Sequence, residues 1–284
     1  MQNKDILVLG NGFIGTRFKE YYGCQNEYTP RIEKYKDIED LLNTYTYAGI
    51  NKKVIINCIG SVGHNNTDDC EYDIDKTLFA NTYIPILLTE YCRRYKIKLV
   101  HISSGCLFGD QTFKPINEEQ RPDFYKLFYS RTKIYAENAL KDEIVKIGSS
   151  NTLIVRIRIP LDNKSNRRNL LNKLIKYKKV IDVPNSITYI PDLLKITHQL
   201  IEKDFTGIFN VVNDGALKYK ELLDVYKKHK QDFNYEVVEY NEVVKTPRTN
   251  IILSTNKLKR CKIEVRDIHD ILDECVTEYL NEQV

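Results

Sequence analysis

The 284-residue chain has no tryptophan, one methionine, 12 glycines and 8 prolines. The missing tryptophan carries no chemistry, but the absence of repeats and low-complexity tracts excludes solenoid and disordered classes. No run approaches the about 20 apolar residues that a membrane helix needs. No apolar leader precedes the run DILVLG that begins at Asp5, so a cytoplasmic protein with no membrane partner is expected. The seven cysteines, at 24, 58, 70, 92, 106, 261 and 275, form no C-x-x-C pair. An odd number at irregular spacing gives neither a secreted disulfide pattern nor a metal site, and suits a reducing compartment. The 43 Lys and Arg against 39 Asp and Glu leave only +4. They are spread along the chain, so no nucleic-acid footprint is expected and a small anionic ligand is the simpler partner.

What is there is an alternation of β-rich runs and helical patterns. ILVLG is followed by a helix to about residue 22, VIINCIG at 54–60 by an amphipathic stretch over 73–95, and KLVHISS by a helix over 124–147 and TLIVRIRIP at 152–160. Such alternation predicts βαβ units and a parallel sheet. The expected fold is α/β, a Rossmann-type doubly wound parallel sheet over 1–157. A smaller substrate-binding lobe is expected over 158–284, with some of its segments returning to the core.

The first strand runs directly into GNGFIG, where Gly10, Gly12 and Gly15 allow a tight turn and close backbone approach to a pyrophosphate. With Phe13 and Ile14 these residues open a helix whose positive end favours phosphate. In NEYTPR, Arg31 follows the expected second strand and favours a 2′-phosphate, with Glu27 as the acidic alternative nearby. NADPH is therefore the expected cofactor, with NADH the less favoured one.

Y-x-x-x-K occurs three times. Tyr72 with Lys76 and Tyr226 with Lys230 read as exposed helical pairs. Tyr129 with Lys133 lies about 25 residues after Ser104, on the helix that follows its strand, and can point at the carboxyl end where open α/β sheets bind ligands. A phenol is a poor acid-base group near neutrality, and a neighbouring ammonium favours its ionised form. Ser104 could bond a reacting carbonyl while Lys133 reaches the nicotinamide ribose, which makes a hydride-transfer site. The run LVHISSGCLFGD adds a thiol, Cys106, two positions after Ser104; packing or chemistry could account for it.

GNGFIG and YSRTK together resemble the extended short-chain dehydrogenase/reductases. SSGCLFG, FYSRTK, VRIRIP, RRNLLNKLIKYKKVIDVPNS, TGIFNVVN and TPRTN resemble the reductase half of plant rhamnose synthases and stand-alone giant-virus relatives. GDP-fucose synthases and dTDP-4-keto-rhamnose reductases are more distant. The resemblance implies a UDP-4-keto-6-deoxy-D-glucose 3,5-epimerase/4-reductase that makes UDP-L-rhamnose. It implies Cys106 and Lys173 as the proton-transfer pair, and such a lysine should be partly buried or near another cation. By the same resemblance Asn57 and Gly60 line the cofactor, while Asn81, Ser104, Asn169 and Arg248 contact substrate. The loop GSVGHNNTDDCE departs from its plant counterpart. With no second glycine fingerprint, a separate 4,6-dehydratase must supply the substrate, and a homodimer is left open. The alternatives are a 4-keto-reductase or epimerase/reductase of a dTDP- or GDP-linked sugar, with Cys106 structural if it only reduces, and a non-catalytic NADP-binding regulatory subunit.

Overall fold

The computed structural model describes residues 5–27, 29–47, 52–109, 113–142, 151–244 and 246–282. These divide into two compact units, residues 1–107, 125–155 and 200–208, and residues 108–124, 156–199 and 209–284.

The first unit is built on strands that are buried at nearly every position, as expected where both faces of a parallel sheet are covered. β1 (Ile6–Leu9) pairs in parallel with β2 (Val54–Asn57), and β2 with β3 (Lys98–Ser104), placing Leu9 beside Asn57 and Asn57 beside His101. β4 (Thr152–Ile157) and β8 (Gly207–Asn210) complete the order β1-β2-β3-β4-β8. Flanking helices make this a Rossmann-like α/β fold. They include α1 (Phe13–Tyr22), α2 (Tyr35–Tyr47), α4 (Ile84–Tyr95) and α5 (Phe128–Asp142). Leu7, Leu9, Ile55 and Leu99 of the sheet pack with Ile38, Leu41 and Leu42 of α2 and Leu88, Tyr91 and Cys92 of α4. Each buried aliphatic side chain there contributes on the order of 2 kcal/mol of transfer free energy.

Three local expectations change. Among the described residues no strand is assigned in 24–27 or 29–34, and β1 stands at the end of the five-strand order. The amphipathic stretch over 73–95 is broken into α3 (Ile74–Leu78), a π-helical turn (Phe79–Tyr83) and α4; such turns often mark functional sites. α5 begins at Phe128 rather than 124, because the Glu71 carboxylate accepts from the Phe128 N–H at 2.5 Å and from Arg131 at 3.3 Å. That carboxylate satisfies an orphan donor and complements the helix dipole. The expected end of this helix, past 142, lies outside the described residues.

In the second unit, β5 (Pro160–Leu161) pairs with β7 (Thr188–Tyr189) and β6 (Lys179–Ile181) with β9 (Glu236–Val238). Its core joins Leu170, Leu171 and Leu174 of α6 (Leu170–Leu174), Leu222 and Leu223 of α7 (Tyr219–His229), and Ile268, Ile271, Leu272 and Val276 of α8 (Ile268–Asn281). Among the described residues no helix is long and apolar enough to cross a membrane. No group of three or more His, Cys, Asp or Glu there could hold a metal ion. None of the seven cysteines is in a disulfide.

Candidate active site

The glycine loop between β1 and α1 is shaped by close approach. Gly10 has φ +105°, and a Cβ on it would lie 2.9 Å from the Cys58 carbonyl carbon. A Cβ on Gly15 would lie 2.1 Å from the Gly10 carbonyl oxygen, so α1 can pack on the loop only with glycine there. Gly12, the N-cap of α1, faces open space, with nothing within 4 Å of an added Cβ. No acidic side chain occupies the first turn of α1. An exposed helix N-terminus under an open glycine cradle fits a dinucleotide pyrophosphate. Arg31 is exposed and pairs with Glu33 at 3.2 Å. The Glu27 carboxylate is held by the buried Lys52 ammonium at 2.6 Å.

The second half of this site sits where α5 packs on β3. Ser104 ends β3, and its hydroxyl accepts the Cys106 N–H at 3.0 Å. That bond ties the Ser104 side chain to the backbone of the turn that carries Cys106 at the strand's carboxyl end; Ser104 is buried and Cys106 half-buried. On α5, Tyr129 and Lys133 are buried, and the Lys133 Nζ donates to the Ile102 carbonyl at 3.4 Å. A Cβ on Gly60 would lie 3.5 Å from that ammonium and 3.2 Å from Asn81 Oδ1, so the loop after β2, the π-turn and α5 converge here. Burial pushes the Lys133 ammonium down to about 8, with Glu137 one turn further along α5 opposing the shift. The structure thus brings Ser104 at the end of β3 and Cys106 in the turn after it beside α5, which carries Tyr129 and Lys133, with Gly60 against Lys133.

Two expected contact residues have their polar atoms engaged within the protein instead. Asn57 Oδ1 accepts the Ile59 N–H at 3.0 Å and its Nδ2 meets His101 Nδ1 at 3.2 Å, so it shapes the loop after β2 from beneath. Asn81 Oδ1 accepts the Ser61 N–H at 2.8 Å, and its Nδ2 donates to the Ser61 carbonyl and the Thr132 hydroxyl. It ties that loop to α5, and its bonds are those of a positioning residue.

In the second unit, the Asn169 side chain is buried; its Oδ1 accepts from the Asp162 and Leu171 N–H groups and its Nδ2 donates to the Asp162 and Lys164 carbonyls. It is the N-cap of α6. Lys173, in the last turn of α6, is half-buried and meets both conditions expected of a proton-transfer lysine. Burial pushes its ammonium down, and the Arg168 guanidinium pushes it further. Arg248 is half-buried in the segment that Arg158 holds by donating to Asn185 Oδ1 at 2.9 Å and to the Thr249 carbonyl.

Other residues of this site were not singled out from sequence. His101 is fully buried and held neutral, first by burial and then by the Lys133 charge, with Nε2 lacking a partner. Ser103 donates to Glu137 at 2.5 Å, which fixes the carboxylate behind Lys133. Glu137 lies four residues after Lys133, a spacing that places both on one helix face and was the one available signal.

The model of the RmlD substrate binding domain matches residues 4–281. The chain belongs to this family. Among RmlD-type relatives it is 31% identical over 235 residues to the bifunctional dTDP-4-dehydrorhamnose 3,5-epimerase/dTDP-4-dehydrorhamnose reductase of Arabidopsis thaliana, covering 79% of this chain and 76% of that one. It is 30% identical to the trifunctional UDP-glucose 4,6-dehydratase/UDP-4-keto-6-deoxy-D-glucose 3,5-epimerase/UDP-4-keto-L-rhamnose-reductase RHM3 of the same plant, over 79% of this chain but only 34% of that longer protein. The crystal structure of the L780 UDP-rhamnose synthase from Acanthamoeba polyphaga mimivirus superposes with a TM-score of 0.82 at 25% identity, covering 96% of this chain and 98% of that one.

Proposed function

We propose that this chain is an NADPH-dependent bifunctional enzyme that epimerises C3 and C5 of UDP-4-keto-6-deoxy-D-glucose and reduces C4 to give UDP-L-rhamnose. The observation that carries this reading is the pair Ser104 and Cys106 at the end of β3, the Ser104 hydroxyl holding the Cys106 backbone N–H, beside the helix bearing Tyr129 and Lys133. A plain ketoreductase needs the serine, tyrosine and lysine; a positioned thiol adds a proton-transfer group. NADPH, when bound, supplies hydride to C4.

The remaining steps belong to the chain. Hydrogens on C3 and C5 are acidified by the C4 carbonyl between them, and Ser104 and Tyr129 stabilise the enolate by donating to O4. Cys106 and Lys173 exchange protons at the substrate carbons, and the depressed basicity of Lys173 suits a group that must both take and return a proton near neutrality. Tyr129 then gives its proton to O4 as hydride arrives, and Lys133 is positioned to stabilise the resulting phenolate and to bond the cofactor ribose. Gly10, Gly12, Phe13, Ile14 and Gly15 seat the pyrophosphate, Arg31 offers an exposed charge at the adenosine end, and Arg248 serves the substrate diphosphate. A 4,6-dehydratase supplies the substrate, and seven cysteines without a disulfide fit a cytoplasmic setting. The test is incubation with UDP-4-keto-6-deoxy-D-glucose and NADPH, with NMR of the product. UDP-L-rhamnose is expected; a product unchanged at C3 and C5 would reduce the reading to a simple reductase.

A further inference from the structure

Below the glycine loop lies a buried cation that neither the fold nor the chemistry above requires. Lys19 projects from the last turn of α1, is only 6% exposed, and reaches back along the helix as side chains there do. Its Nζ donates to Asn11 Oδ1 at 2.7 Å, to the Thr29 hydroxyl at 2.9 Å and to the Glu27 carbonyl at 3.5 Å. The Thr29 hydroxyl in turn meets Asn11 Oδ1 at 3.1 Å. Every one of these partners is neutral. The nearby carboxylate, Glu27, is bonded instead to the second buried ammonium, Lys52, which also donates to the Ile6 carbonyl and lies over the Tyr45 ring. Among the described residues, two buried ammonium groups therefore face one carboxylate. A buried charge without a counter-charge is unfavourable unless an anion completes the site. Asn11 belongs to the phosphate loop itself, and Thr29 opens the segment leading to Arg31.

We propose that Lys19 is a cofactor-specificity residue: with Asn11 and Thr29 it forms the floor of the site for the adenosine 2′-phosphate, an inner charge beneath the exposed Arg31. This rests on the NADPH reading. Glu27, the carboxylate that could accept from a free 2′-hydroxyl, has one oxygen on Lys52 and the other buried, while Lys19 and Thr29 offer a cation and a hydroxyl, which suits a phosphate dianion rather than a diol.

The test is calorimetric titration of the whole chain with NADPH and with NADH at low and high salt. Lys19→Met keeps the aliphatic stem and removes the charge. It is expected to weaken NADPH by about 10- to 100-fold, as for loss of one charge-assisted bond, while NADH changes by less than about threefold. In the wild type the gap between the two cofactors should narrow with salt. Thr29→Asp gives Lys19 a carboxylate and should weaken NADPH selectively even if Lys19→Met folds poorly. Equal weakening of both cofactors in both variants would make Lys19 a scaffold residue and overturn the proposal. So would a variant Arg31→Ala that abolishes the preference while Lys19→Met keeps it. A wild type that binds NADH as tightly as NADPH would overturn the cofactor reading itself.

Discussion

The first unit buries two lysines near its ligand-facing loops and treats them in opposite ways. Lys133 has Glu137 one helical turn away, fixed by Ser103, and the neutral His101 beside it, and burial brings its ammonium down to about 8. Lys19 donates only to neutral oxygens. The difference separates two uses of a buried cation. A lysine that assists proton transfer needs a tuned charge, which a half-compensated pocket supplies. A lysine that reads a phosphate needs a full charge whose partner is the ligand.

The largest expected break in that comparison is Tyr129→Phe, which removes the group Lys133 serves. NADPH oxidation should fall by about 10²- to 10⁴-fold, with the dissociation constant of NADPH changed by less than about threefold. Lys19→Met should show the converse pattern, affinity lost and turnover at saturation kept. Stopped-flow absorbance and calorimetry on both variants separate the two, and an affinity loss in Tyr129→Phe would merge the sites.

A smaller effect follows from the titration of Lys133. Its folded value of about 8 lies below the ordinary 10.5, so the unfolded chain binds more protons between those limits. Stability attributable to this residue should therefore rise as pH is raised from about 8 to about 10.5, by on the order of 3 kcal/mol, and stay flat below about 8. Urea unfolding of the wild type and Lys133→Met across that range measures it. Parallel curves for the two proteins would contradict the buried, tuned lysine.

The smallest effect belongs to the second unit. Asn169→Ala removes the cap of α6 and should lower stability by about 1 kcal/mol, with a KM for substrate within about twofold of wild type. A rise in KM of tenfold or more would make Asn169 a substrate contact.

The glycine loop and Tyr129 with Lys133 were legible because their chemistry rides on spacing that local geometry preserves: Gly10 to Gly15 span one turn, and positions 129 and 133 share a helix face. The buried partners were not, because His101 and Lys52 acquire meaning only when strands about 45 residues apart come into register, Ser103 only when α5 packs on β3, and Lys19 only when α1 folds back on the glycine loop. Asn57, Asn81 and Asn169 look alike in sequence whether an amide faces a ligand or a backbone. Only the count of satisfied donors and acceptors tells them apart. The strand expected before Arg31 failed for a related reason, since NEYTPR has the residues of a strand end but no partner ladder among the described residues.

The most direct measurement of the central claim uses no NADPH. The wild type, incubated with UDP-4-keto-6-deoxy-D-glucose in deuterated water and followed by NMR, should incorporate deuterium at both C3 and C5. Cys106→Ser should lose exchange at one or both carbons yet still oxidise NADPH when given the L-configured 4-keto sugar. Absence of exchange in the wild type, or exchange in Cys106→Ser at wild-type rates, would contradict the assignment of this strand-end thiol to epimerisation.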